Sequence, residues 1–153
     1  MSRPPRDPQE RLPNRQGNYM IFAAGAYIAA AAAALFYANL GDGSEAAIIR
    51  AQTIAFTGMI VLEKVNVLNF RSLKHPLRTV GFFSNKWLLL AIAVTVGAQV
   101  CAVYVPFLQT ALHTVALSGQ DWFIMLMVAL PLFFIGEFAK WLAARKASGP
   151  LGT

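Results

Sequence analysis

Four blocks of apolar residues, each near the length of a membrane span, alternate with short polar and basic stretches. A helix needs about 20 apolar residues to cross a hydrocarbon core. The blocks run over roughly 19–40, 46–70, 87–104 and 122–142. This pattern predicts an all-α integral membrane protein with four transmembrane helices in a bundle. The second block is the least clean, because Arg50, Gln52, Glu63 and Lys64 interrupt it. Pro106 ends the third. Pro131 lies inside the fourth, where it is expected to kink the helix while neighbouring helices absorb the freed carbonyl. The stretch VPFLQTALHTVALSGQ is long for a loop and is expected to form a short interfacial helix. The expected organisation is a segment over 1–18, a transmembrane domain over 19–146 and a tail over 147–153.

Composition sharpens this picture. The hydrophobic fraction is 57% and the charged fraction 13%, against about 25% charged in a soluble domain. A net charge of +6 raises the question of nucleic acid. The basic residues lie between the apolar blocks, however, so a topological role fits better and no nucleic-acid partner is expected. Arg3, Arg6, Arg11 and Arg15 precede the first block, Arg71, Lys74, Arg78 and Lys86 separate the second and third, and Arg145 and Lys146 follow the fourth. The other side carries Asp42, Glu45 and Asp121, with Arg50 its one basic residue. Lys and Arg are retained in the cytoplasm, so both termini are expected there, in a plasma (inner) membrane. Tyr19, Tyr37, Trp87, Tyr104, Trp122 and Trp141 lie near the block ends, as an aromatic belt requires. The first 17 residues are too polar and too rich in Pro and Arg for a signal peptide. The single cysteine, Cys101, allows no disulfide within the chain and is expected to pack, as is Gln99. The alanine-rich AAGAYIAAAAAAL of the first block is either a docking face for another helix or composition without a particular partner.

Chemistry concentrates at VLEKVNVLNFRS. Along a helix, Gln52, Phe56, Met59, Glu63, Asn66 and Phe70 recur at three- and four-residue steps and share one face, with Asn69 on its flank. Lys64 points about 100° away and can snorkel to the headgroups. A carboxylate has a shorter stem, so Glu63 is expected to turn into the bundle and find a partner there. Intramembrane acids are functional-site hypotheses by default, and Glu63 is the candidate cation-binding residue, supported by the polar face of Gln52, Asn66 and Asn69. One carboxylate and two amides are too few for a hard cation that takes six to eight oxygens. Other helices must supply the rest, with Gln99 and Glu137 the main candidates in this chain. The alternative is a structural acceptor or a protonated acid. Glu137 and Lys140 are expected to pair as an interfacial anchor. His75 and His113 have no second ligand at metal spacing. No phosphate-binding loop, dinucleotide fingerprint, zinc motif or catalytic triad is visible.

Several stretches, taken in order, resemble the C-terminal membrane region of P-type cation-transporting ATPases of the calcium-pump-like branch. RPPRDPQE resembles the link before the seventh helix of those pumps. LEKVNVLNFRSLKHPL resembles the end of the eighth, with the pattern E-x-x-N-x-x-N and a basic turn. YVPFLQTALHTVALSGQDW resembles the outer link between the ninth and tenth, and LPLFFIGEFAKWL the tenth with its E-x-x-K ending. The resemblance implies that Glu63 stands where an eighth-helix glutamate helps bind a transported ion. It does not imply Asn66 or Asn69 as ligands. The other ligands would come from the fourth, fifth and sixth helices, on a separate chain if the module is functional. The chain itself carries no DKTGT motif, so no enzymatic activity is expected of it in isolation. It is expected to hold no cofactor. A transported cation, calcium or manganese, would bind only with the missing pump helices, and membrane lipid would surround the rest. Two other readings stay open: a small stand-alone proton-coupled exporter, and a membrane interaction protein without transport.

Overall fold

The computed structural model describes residues 15–70 and 85–147. Among them the fold is all-α, with α1 (Arg15–Ala38), α2 (Glu45–Phe70), α3 (Lys86–Tyr104), α4 (Pro106–Leu112) and α5 (Gly119–Ala147). α1, α2, α3 and α5 are long and apolar enough to cross a membrane. α4 is the short helix expected in the link between the last two spans. The segment 1–14, the basic link with Arg71, Lys74, His75 and Arg78, and the tail from 148 onward lie outside the described residues.

Local chemistry sets the helix ends. α1 begins four residues ahead of Tyr19 and closes at Ala38. There the Asn39 side chain donates to the Leu35 carbonyl at 2.8 Å, and Gly41 takes a φ of 57° that a Cβ would strain. Ser44 caps α2, its Oγ accepting from the Ala47 N–H at 3.3 Å. Asn85 caps α3 the same way, accepting from the Leu88 N–H at 3.1 Å. α5 opens on a reciprocal cap. The Asp121 N–H donates to Ser118 Oγ at 3.2 Å, and the Ser118 N–H donates back to Asp121 Oδ2 at 2.8 Å.

α2 is the hub, with α1, α3 and α5 packed around it. Toward the end where α1 starts and α5 finishes, called here the near end, Leu62 packs with Ala24, Ala31, Ala129 and Leu132. Toward the far end, Ile54 packs with Leu35, Val103, Leu117 and Met125. Small residues permit this approach, because packing rather than hydrophobicity joins helices in lipid. Gly17, Ala24 and Ala31 are buried at seven-residue steps along α1, while most other alanines of α1 are exposed. At Gly58 an added Cβ would run into Leu35. α5 runs unbroken through Pro131. Other helices reach its backbone on both sides of that residue, Tyr27 donating to the Val128 carbonyl at 2.7 Å and Asn69 to the Leu132 carbonyl at 2.9 Å. Gln99 is buried, but Cys101 is exposed and corrects the expectation that it packs.

Candidate functional site

α1, α3 and α5 cover much of α2, and one side stays exposed along its length. Leu62 packs against α1 and α5, Ile54 lies in a cluster with residues of α1, α3 and α5, and Thr57 meets Gln99 of α3. The exposed residues Gln52, Phe56, Glu63 and Val67 fall within about 40° of Glu63 on a helical projection. Glu63 is therefore exposed, and the expectation that it turns into the interior of these helices is corrected. The packed face of α2 is the one with small residues, Ala51, Thr53, Thr57 and Gly58. On this exposed face, Gln52 and Phe56 border a cavity of about 510 Å³ that residues of α3 and α4 also line, whereas Glu63 lies exposed further toward the near end.

The asparagines do not stay with the carboxylate. Asn69 is 3% exposed and wedged between α2 and α5. Its Nδ2 donates to the Leu132 carbonyl, and Gly136 makes room for it, since a Cβ there would stand 2.6 Å from Asn69 Cγ. The Oδ1 atoms of Asn66 and Asn69 are both buried without a hydrogen-bond partner. They border a cavity of about 260 Å³ between α1, α2 and α5, which Tyr19, Tyr27 and Phe70 help to line. Gln99 is engaged elsewhere. Its Nε2 donates to Thr57 Oγ1 at 2.8 Å, about 120° around α2 from Glu63. Gln99 is thus not a ligand beside Glu63, which corrects that expectation too. Among the described residues no three His, Cys, Asp or Glu side chains converge. The proposed partner of Glu137, Lys140, has a side chain outside the described residues. His113 ends α4 in the left-handed region, at a φ of 51°.

The far end holds what sequence reasoning missed. Arg50 Nη2 meets Asp121 Oδ1 at 2.8 Å, and Asp121 Oδ2 also accepts from the Ser118 hydroxyl at 2.8 Å. Trp122 Nε1 donates to Tyr104 Oη at 2.9 Å, and Tyr104 donates in turn to the Leu117 carbonyl at 2.7 Å. Two signals pointed here: an arginine inside an apolar block, which needs an anion, and the S-x-x-D spacing of a cap. In the turn before α2, the Ser44 backbone N–H, and next its hydroxyl, hold the Asp42 carboxyl below its usual range.

This arrangement is a four-span bundle, closed on itself at one end, with a carboxylate on an exposed side of its hub. Residues 1–142 match the family model described as "Cation transporting ATPase, C-terminus". The chain belongs to that family. An endoplasmic reticulum-type calcium-transporting ATPase 4 of Arabidopsis thaliana is 36% identical over 106 residues, 69% of this chain and 10% of its own length. Calcium-transporting ATPase 1 of Saccharomyces cerevisiae is 26% identical over 147 residues, 95% of this chain and 15% of its own. Calcium-transporting ATPase type 2C member 2 of Rattus norvegicus is 27% identical over 140 residues, 92% of this chain and 15% of its own. The chain thus spans about a tenth to a seventh of the length of these relatives and corresponds to the C-terminal membrane region of the ATPase family.

Proposed function

We propose that this chain is the C-terminal membrane module of a P-type cation-transporting ATPase, packing against further pump helices and offering them Glu63 as one ion-site carboxylate. The open face of α2 carries this reading. A carboxylate exposed on a membrane helix is costly unless protein or water covers it. Glu63 and Val67 are exposed on α2, so the additional helices would lie along that face. They would bring the oxygen ligands that this chain lacks, as a hard cation requires. Calcium and manganese are the candidate ions. The basic residues flanking the spans support cytoplasmic placement of both ends.

The test is ATP-driven calcium and manganese uptake by vesicles from cells carrying the chain at its own locus, with and without Glu63→Gln. The expected result is a fall of about 10- to 100-fold in apparent cation affinity, the range for groups that support a metal site. Unchanged uptake, with the variant present at normal level, would reject the role of Glu63. Low-micromolar calcium binding by the purified chain alone would show that the site is not shared with other helices.

A further inference from the structure

A second feature of α2 points away from the ion-site face. Lys64 follows Glu63 and lies about 100° around the helix. On that side α2, α3 and α5 splay apart and leave a groove of about 300 Å³. Ile60, Lys64 and Leu68 of α2 form one wall, Ile92 and Val96 of α3 the second, and Leu126 of α5 the third. The walls are apolar, and Lys64 contributes its aliphatic stem. Among the described residues no carboxylate pairs with its ammonium.

Depth decides where that ammonium ends up. α2 has 26 residues, and Lys64 stands six residues before its end at Phe70. At 1.5 Å per residue the helix is about 39 Å long, against a hydrocarbon core of about 30 Å. If the helix is centred, the Lys64 backbone lies about 4–5 Å inside the core. Its stem reaches the headgroup level from there by snorkelling. The groove thus offers an apolar slot with a cation at its rim.

We propose that this groove is a binding site for an anionic phospholipid, its acyl chain lying between α2, α3 and α5 and its phosphate meeting Lys64. A partner helix answers these observations less well. A helix filling the slot would also have to supply a buried acid opposite Lys64. An anionic lipid brings the hydrocarbon and the charge in one molecule. A zwitterionic lipid brings the hydrocarbon without the net charge.

Trp122 lines the far part of the same groove and serves as a reporter. The chain has three tryptophans, so Trp87→Phe with Trp141→Phe leaves Trp122 alone. The full chain carrying these changes is reconstituted in phosphatidylcholine vesicles. Brominated-chain phosphatidylglycerol or brominated-chain phosphatidylcholine is then titrated in as quencher. The anionic lipid is expected to half-quench Trp122 at about five-fold lower mole fraction, the preference that one basic residue near the surface supplies. Lys64→Gln should erase the difference and Lys64→Arg should keep it. Val96→Phe, which fills the groove without touching charge, should weaken quenching by both lipids. Equal quenching by the two lipids in the parent would overturn the proposal. So would a preference that survives Lys64→Gln, quenching unaffected by Val96→Phe, or no quenching by either lipid.

Discussion

The two ends of the bundle solve the same problem in opposite ways. Each must place polar side chains beside apolar helices. At the far end the main groups meet within the chain: Arg50 with Asp121, Asp121 with Ser118, Trp122 with Tyr104, and Thr53 with the Val115 N–H at 3.2 Å. At the near end the buried oxygens of Asn66 and Asn69 go unmet, and Glu63 looks outward. A buried polar group without a partner costs about 1–3 kcal/mol. The difference teaches that the far end is a self-contained clasp, whereas the near end leaves buried oxygens unmet within these helices.

Breaking the clasp should cost the most stability. Asp121 is buried while the Arg50 side chain is 43% exposed. Removing one partner of a buried ion pair costs about 3–5 kcal/mol. Water can still reach Arg50, so the expectation for Asp121→Ala is lower, about 2–3 kcal/mol, including the lost α5 cap. Reversible unfolding in mixed detergent micelles measures it. Glu63→Gln in the same assay should move stability by less than about 0.5 kcal/mol, as an exposed position does. A comparable loss at both positions would erase the contrast between the ends.

A smaller effect sharpens the comparison at the near end. An added Cβ at Gly136 would press on the Asn69 carboxamide and push it off the Leu132 carbonyl. Overpacking costs about 1–3 kcal/mol, and an interhelical hydrogen bond in a membrane averages about 0.6 kcal/mol. Gly136→Ala should therefore destabilise by about 1–2 kcal/mol. The effects of neighbours in contact do not add. Asn69→Ala removes the group that is struck, so the double variant should be no less stable than Asn69→Ala alone. Additive losses would mean that Asn69 does not occupy the space over Gly136.

The sequence made the spans legible and left their facing obscure, for one physical reason. An apolar run of span length reads clearly because lipid excludes charge. Lipid and protein interior are equally apolar, however, so hydrophobic periodicity does not say which side of a span is packed. The polar stripe through Gln52, Glu63 and Asn66 therefore reads as the inner side of α2. The small residues Ala51, Thr53, Thr57 and Gly58 mark that side instead, because close packing selects for them. Asn69 belongs to the packed side, and its fit over Gly136 depends on a residue on a different helix, which no local spacing reveals. Short-range caps such as Ser118 with Asp121 were within reach of the sequence, since they involve three-residue steps.

The weakest expected effect lies outside the bilayer, in the turn that joins α1 to α2 at the far end. There Asp42 Oδ1 accepts from the Ser44 N–H at 3.0 Å, just before the cap of α2. Hydrogen bonds to Ser44, from its N–H first and its hydroxyl second, hold the folded carboxyl below its ordinary value of 3.8. The folded state then binds protons less readily than the unfolded chain. The contribution is present above the ordinary value and fades as pH falls through the folded one. Water surrounds this carboxylate, so the effect should be local fraying of the turn, not loss of the fold. Amide exchange of Ser44 is the fitting measurement. Its protection should drop on acidification below about pH 4 in the parent and be low at all pH values in Asp42→Ala. The Arg50–Asp121 clasp keeps α2 and α5 joined whatever this turn does, so the packed core should keep its slow exchange over the same range. Exchange rising in the core together with the turn would show that the far end is held from outside the bundle, and the contrast between the two ends would fail at its stronger side.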